Sequence, residues 1–202
     1  MFRFLFDNPV IFLIILGNYA LVFLLGPFLG FVGFFFIALF YLVGLHGDLN
    51  NLWDSVKKLS KWAFFVALVE YLLFFGLSLI SYLVYKALGL NLYTETGKTF
   101  LFTVFWSLVL ALIVHVIYVP LFASTDFEQL KENFKRVKLL FKGSMLGAFI
   151  LLWGFMFITL LAGLVQFIHM TIGLYSVVAT FWLTYYTFLG VRLFKNSTLK
   201  EV

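Results

Sequence analysis

Two titratable side chains, Glu70 and His115, interrupt long apolar stretches of this 202-residue sequence. Glu70 lies in the run WAFFVALVEYLLFFG, and His115 lies in ALIVHVIYVP. A carboxyl group in apolar surroundings must be protonated, paired or in contact with water, and an imidazole titrates near neutrality. A Glu–His pair at one depth of a membrane would therefore handle a proton or a cation. Asn18 falls at the same predicted level, and we include it in this polar site.

The same residues also fit a purely structural role. Ala63 and Ala67 share the helical face of Glu70, and small neighbours favour a helix–helix contact over a lipid-facing surface. A hydrogen bond from Glu70 to His115, Asn18 or a tyrosine would then only fix the packing. If the site is functional, we expect Glu70→Gln to leave expression intact and to abolish any proton- or cation-coupled flux. Unchanged flux in that variant would contradict the site.

The sequence lacks the residues that other kinds of catalytic chemistry require. There is no cysteine, which excludes thiolate metal ligands and cysteine nucleophiles. The motifs HExxH, GxSxG with triad partners and the phosphate-binding loop are missing. His46, His115 and His169 fall at different depths, unlike the paired axial ligands of a haem b. We therefore expect no cofactor and no metal, and an enzyme is the least favoured class.

The elements that must position Glu70 and His115 are membrane-spanning helices. The chain is 64% hydrophobic and 11% charged, whereas soluble domains are about 45–50% apolar and about 25% charged. Roughly 20 apolar residues cross the hydrocarbon core as a helix, and strand alternation is absent here. We predict an all-α, polytopic integral membrane protein with one transmembrane domain over residues 1–202. The six predicted spans are residues 9–26, 28–46, 62–86, 98–122, 143–166 and 171–194.

The basic residues set the predicted orientation. With six spans, every Lys and Arg except Lys86 and Lys98 falls on one side of the membrane. Basic residues near the ends of spans stay cytoplasmic. We therefore expect a multi-pass protein of the cell (inner) membrane with both termini in the cytoplasm. The first span is expected to be a retained helix, because no small-x-small cleavage site closes it.

Two of the basic connections have the pattern of amphipathic helices. The segments DLNNLWDSVKKLSKWAFF and DFEQLKENFKRVKLLFKG align without gaps, with apolar residues at matching positions. Thr125 and Glu128 predict a capping box at the start of the second segment. Such helices lie at the membrane surface with their bases near anionic lipid headgroups, and a protein partner or a second copy of the chain is the other expected ligand. The basic residues of this surface are Lys57, Lys58, Lys61, Lys131, Lys135, Arg136, Lys138 and Lys142.

The shared register of the two segments predicts an internal repeat. Each unit would be an interfacial helix followed by a transmembrane hairpin, and the units would be residues 1–47, 48–125 and 126–202. The alternative reading is that any connection beside a bilayer becomes basic and amphipathic. That reading explains the composition of the segments but not their common register.

A Lys-rich entry helix alternates with a hydrophobic hairpin in this sequence, as in FEQLKENFKRVKLLFKGSMLGAFILLWG. This pattern resembles the membrane domains associated with glycerophosphodiester phosphodiesterases and their uncharacterised six-span relatives. The resemblance covers residues 48–194 and rests on the pattern as a whole. It implies an integral membrane protein concerned with lipids, and it implies no catalytic residue.

These observations predict a small membrane transporter, channel or lipid-handling protein that uses the region around Glu70, His115 and Asn18. The alternative is a non-catalytic subunit or assembly factor of a larger membrane complex. Such a subunit would have co-purifying partners and no continuous cavity. Membrane lipids are the expected partners in either case, and nucleic acid is not.

Overall fold

The computed structural model describes residues 8–48, 50–91, 93–164 and 172–199, and this part of the chain contains helices and no strands. Predicted residues outside it, such as Arg3, His169 and Lys200, receive no structural account. Within these residues, six α-helices and one 3₁₀ segment follow one another. They are α1 Pro9–His46, α2 Leu52–Ala87, α3 Thr96–Ala123, α4 Phe127–Lys135, the 3₁₀ segment Val137–Phe141, α5 Met145–Leu164 and α6 Ile172–Leu199.

The chain turns back on itself within α1, so that the two halves of this helix lie side by side. The hydroxyl oxygens of Tyr19 and Tyr41 are 3.1 Å apart, whereas 22 residues of straight helix would separate them by about 33 Å. A Cβ placed on Gly33 would lie 2.8 Å from the backbone oxygen of Asn18. The chain therefore reverses between the halves Pro9–Leu25 and Gly30–His46. This is where the sequence, with Gly26 and Pro27, predicts a turn.

Four helical segments of the described chain are long and apolar enough to cross a membrane: Leu52–Ala87, Thr96–Ala123, Met145–Ala162 and Gly173–Leu199. The described parts of the two halves of α1, Pro9–Leu25 and Gly30–His46, are apolar and shorter than these four. The all-helical class and four apolar spans predicted from the sequence are thus found. The first two predicted spans correspond to the shorter halves of α1.

Helix α1 lies at the centre of the packing. It contacts α2 on one side and α6 on the other, and α6 in turn contacts α3 and α5. The second half of α1 is the most enclosed part of the core, with Ile37, Ala38, Tyr41 and Leu42 fully buried. Helices α2 and α3 contact each other little compared with these pairs, so a gap remains between their apolar faces.

The two predicted amphipathic segments fold differently from each other. The first is not a separate helix, because α2 runs without a break from Leu52 through the predicted boundary at residue 61 to Ala87. The second forms α4 and the 3₁₀ segment, and Gly143, with φ of +51°, precedes α5. The two segments of the predicted repeat therefore share a sequence register but not a backbone path.

The cap of α4 differs from the expected one by one residue. The Asp126 side chain accepts from the Gln129 backbone N–H at 2.8 Å, and the Gln129 side chain accepts from the Thr125 N–H at 3.2 Å. Asp126, with an extended backbone, thus takes the capping position predicted for Thr125. The two hydrogen bonds form a reciprocal pair like that of a capping box, with Gln129 in place of the predicted Glu128.

One end of the helix bundle carries nearly all the described basic side chains. The ends of α1, α3 and α6 meet there, because His46 hydrogen-bonds to the Phe122 carbonyl oxygen and to Lys195. The start of α2 lies beside the start of α4, with the rings of Trp62 and Phe127 5.2 Å apart. Following the helices from this basic end, only Lys86 and Lys98 among the described Lys and Arg residues fall at the opposite end.

Candidate functional site

Glu70 lies inside the bundle with one hydrogen-bond partner. It projects from the middle of α2 and is 1% exposed. The Tyr118 hydroxyl on α3 donates to its Oε1 at 2.9 Å. Its other oxygen, Oε2, is buried and has no hydrogen-bond partner. Buried polar atoms without a partner are rare in native proteins, and each of them requires an explanation.

Tyr118 connects Glu70 to the last helix. The single hydroxyl proton of Thr187 on α6 is shared between two acceptors. The closer one is the Leu183 carbonyl one turn earlier, at 2.7 Å, which is the usual way for a threonine to satisfy its hydroxyl within a helix, and the farther one is the Tyr118 hydroxyl, at 3.4 Å. Glu70, Tyr118 and Thr187 thus form one polar chain across α2, α3 and α6.

A second polar chain runs beside the first. The hydroxyls of Tyr19 and Tyr41, from the two halves of α1, are hydrogen-bonded, and Tyr41 bonds to Thr184 on α6 at 2.7 Å. Thr184 and Thr187 are three residues apart and lie on one face of α6. Helix α6 therefore carries the hydroxyls on which both chains end.

His115 is fully buried and makes two hydrogen bonds, neither of them to Glu70. Its Nε2 lies 3.1 Å from the Leu140 carbonyl oxygen, and its Nδ1 lies 3.0 Å from the Tyr186 hydroxyl. A carbonyl can only accept, so Nε2 carries the proton, and in the neutral ring Tyr186 donates to Nδ1. The rings of Tyr118 and Tyr186 pack with their centroids 5.8 Å apart. Glu70 and His115 are thus neighbours through two tyrosines and not a hydrogen-bonded pair.

Asn18 does not join this cluster. Its side-chain amide donates to the Ile14 carbonyl of its own helix at 2.7 Å. The next residue, Tyr19, reaches the polar chain instead. Of the three predicted site residues, the structure brings Glu70 and His115 into one neighbourhood and places Asn18 at the contact between the halves of α1.

An apolar cavity of about 260 Å³ lies next to the two polar chains, on the side away from the basic end. Its walls come from α1, α2, α3, α5 and α6, and Tyr19 belongs both to the wall and to the second polar chain. Leu73, one turn from Glu70, and Val114, one turn from Tyr118, also line it. Ser78 lines the cavity and is exposed on the outside of α2, so the cavity reaches the surface there.

The polar groups in the cavity wall are bonded to one another. Trp106 donates to the Ser81 hydroxyl at 2.9 Å, and Ser81 donates to the Leu77 carbonyl. The Tyr175 hydroxyl donates to Thr159. The wall therefore presents mainly carbon, which suits an apolar ligand better than a hydrated ion.

The predicted headgroup residues lie at the basic end and are mostly exposed. Lys57 lies over the Trp53 ring at 5.3 Å, and Lys135 pairs with Glu132. The hydrogen bond from Lys135 holds the pKa of the exposed Glu132 below its usual value. The other members, with Arg136 partly buried, are Lys58, Lys61, Lys131, Lys138 and Lys142.

No group of three His, Asp or Glu side chains that could hold a metal ion occurs among the residues that the structure describes. No protein-family model, curated protein or solved structure matches the chain. The resemblance to the phosphodiesterase-associated membrane domains therefore stays an expectation from the sequence pattern, and the argument for function rests on the site itself.

The sequence analysis missed Tyr19 and Tyr41, and the predicted site did not include Thr184 although the hydroxyl-rich sixth span fits the lining of a polar path. Tyr19 is adjacent to the chosen Asn18, and the hydroxyl-rich face of α6 is visible in TFWLTYYTF. Hydroxyls in membrane helices usually bond their own backbone. Only the packing of α1 between α2 and α6 shows that these hydroxyls also bond to each other.

Proposed function

We propose that this chain is a lipid-handling integral membrane protein that holds a lipid chain, or a comparable apolar molecule, in the cavity beside Glu70. The single observation that carries the proposal is that cavity: about 260 Å³, walled mainly by carbon and reaching the surface at Ser78. A volume near the lower end of ligand pockets fits part of a lipid better than a whole one. An ion channel would need a polar path, which these walls do not offer.

The topology that we propose has six crossings and cytoplasmic termini. Four long apolar helices and the folded-back halves of α1 account for the six crossings. The basic end supports the orientation, because Lys and Arg near the ends of spans remain on the cytoplasmic side. In this orientation the cavity lies in the outer half of the bilayer.

Glu70 lies one turn from the cavity wall but does not itself line the cavity. Its Oε2 atom is buried without a hydrogen bond, and Leu73 on the next turn lines the cavity. If the Glu70 side chain turned toward the cavity, a ligand hydroxyl or amide, or a proton carried with the ligand, would supply the missing partner. This role combines the predicted proton-handling residue with a lipid-binding pocket.

The test is to fill the cavity. Leu110 is buried and lines it, whereas Leu112 on the same helix is 42% exposed on the outer surface. We expect Leu110→Trp to lose the lipid that co-purifies with the protein, measured by native mass spectrometry after mild detergent extraction. Leu112→Trp, which adds the same side chain outside the cavity, should keep it.

Two outcomes would contradict the proposal. One is retention of the same lipid by Leu110→Trp. The other is a wild-type protein that carries no lipid and co-purifies instead with a fixed protein partner. The second result would favour the alternative of a non-catalytic subunit or assembly factor.

A further inference from the structure

A second pocket, of about 420 Å³, lies at the basic end of the bundle between the end of α1 and the last turns of α6. Arg192, Lys195 and Asn196 form its polar side. Leu45 on α1 and Leu189 on α6 are among its apolar lining residues. The pocket is separate from the apolar cavity, shares no lining residue with it, and is not part of the predicted headgroup surface.

Lys195 is held in place by a histidine instead of a carboxylate. Its ammonium nitrogen lies 3.2 Å from Nδ1 of His46. His46 Nε2 lies 2.8 Å from the Phe122 carbonyl oxygen. That oxygen can only accept, so Nε2 carries the proton, and Nδ1 of the neutral ring accepts from Lys195. The ammonium keeps two further N–H donors.

The two cations of the pocket have no acidic partner within the described ranges. The ion pairs found there join Lys98 to Glu95 and Lys135 to Glu132. Arg192 and Lys195 are three residues apart on α6, so their side chains share a face. A planar guanidinium that binds two oxygens, beside an ammonium point charge, matches a phosphate group.

We propose that this pocket binds the phosphate of an anionic membrane lipid, with Arg192 and Lys195 as its ligands and His46 as the residue that positions Lys195. The apolar wall distinguishes a lipid from a free phosphate, because a free anion gains nothing from Leu45 and Leu189. The pocket also lies where the helices leave the apolar layer, at the depth of lipid headgroups. This site is independent of the lipid cavity beside Glu70.

The test uses the full-length protein in detergent micelles, titrated by microscale thermophoresis with three probes. These are short-chain phosphatidylglycerol, short-chain phosphatidylcholine and inorganic phosphate. We expect phosphatidylglycerol to bind most tightly. The double variant Arg192→Gln/Lys195→Gln should weaken its binding about tenfold or more, which corresponds to about 1.4 kcal/mol or more.

The matched control removes two charges from residues that belong to neither proposed lipid surface. Lys86→Gln/Lys98→Gln changes exposed residues at the opposite end of the bundle and should leave the affinity within about threefold. If the double pocket variant does not fold, the single variant Arg192→Gln keeps the test, because Arg192 is exposed. His46→Phe keeps a ring but removes the acceptor for Lys195, and we expect it to weaken phosphatidylglycerol binding without changing phosphatidylcholine binding.

Three results would overturn the proposal. An equal loss in the pocket and control variants would mean that only general surface charge attracts the lipid. Inorganic phosphate that binds as tightly as phosphatidylglycerol would assign the pocket to a free anion. Equal affinity for the two lipids would remove the role of the two cations. The cavity variant Leu110→Trp should leave all three titrations unchanged, so this site and the proposed function can fail separately.

Discussion

The buried carboxyl of Glu70 and the imidazole of His115 differ in how fully their neighbours satisfy them. Both ring nitrogens of His115 are hydrogen-bonded, to Leu140 and Tyr186, whereas Glu70 keeps one oxygen without a partner. A fully satisfied polar group stabilises packing, and an unsatisfied one costs free energy unless something else binds it. At this scale the hydrogen bonds favour a structural role for His115 and leave Glu70 as the functional candidate.

Glu70→Gln should separate these two roles. The amide oxygen can still accept from Tyr118, so we expect the melting temperature in detergent, followed by tryptophan fluorescence, to stay close to that of the wild type. Any proton- or cation-coupled flux in proteoliposomes should be lost, because an amide cannot carry the proton. Wild-type flux in this variant would show that the carboxyl group only fixes the packing.

His115→Leu should destabilise the fold instead. It leaves the Leu140 carbonyl and the Tyr186 hydroxyl unsatisfied inside the bundle, at a cost of about 1–3 kcal/mol for each group. We expect a clearly lower melting temperature with no specific effect on bound lipid. Tyr186→Phe removes one of the two hydrogen bonds and should lower the melting temperature less. A larger loss for Tyr186→Phe would contradict this assignment.

The helices themselves were more predictable than the contacts between them. Apolar length places α2, α3, α5 and α6 correctly, because a spanning helix needs about 20 apolar residues wherever it packs. The start of α2 at Leu52, however, was not predicted, because the apolar pattern does not tell whether the basic segment before the span continues its axis. No Pro or Gly lies between Leu52 and Trp62 to bend the helix, and the helix continues through this segment. Burial of Ala63 and Ala67 beside Glu70 agrees with the face predicted from their small size.

The close approach inside α1 gives a prediction at the level of the element. A Cβ on Gly33 would lie 2.8 Å from both the Asn18 oxygen and a Val22 methyl group, whereas a Cβ on Gly17 would meet nothing within 4 Å. We expect Gly33→Ala to force the halves of α1 apart and to cost about 1–3 kcal/mol. Gly17→Ala should be neutral or slightly stabilising. Thermal unfolding of both variants in one detergent gives the comparison, and equal melting temperatures would contradict the tight contact.

For the whole molecule, the positions of the basic residues predict which ends of the helices meet, whereas the hydrophobic pattern does not predict the cavity. The sequence places all basic residues except Lys86 and Lys98 on one side, and in the structure their described members gather at one end of the bundle. The cavity could not be predicted, because it results from five elements that fail to fill the space between them. No single segment of the sequence indicates that this cavity exists.

The absence of native cysteine allows a direct test of orientation. Tyr93, between α2 and α3, is 73% exposed, and Lys131 on α4 is exposed at the basic end. In cells with a permeabilised outer membrane and an intact inner membrane, a membrane-impermeant maleimide should label Tyr93→Cys but not Lys131→Cys. After lysis both should be labelled. The reverse pattern would place both termini outside.

The folded-back helix α1 also bears on the bilayer around the protein. Its 38 residues, folded in two, give halves of about 28 Å each, whereas α2 with 36 residues extends about 54 Å. In the proposed topology a hydrocarbon layer of about 30 Å matches a half of α1 but not the full length of α2, so α2 must tilt or project from the surface. A thicker membrane would then draw more of α2 into the apolar layer, whereas the halves of α1 have no further length to give.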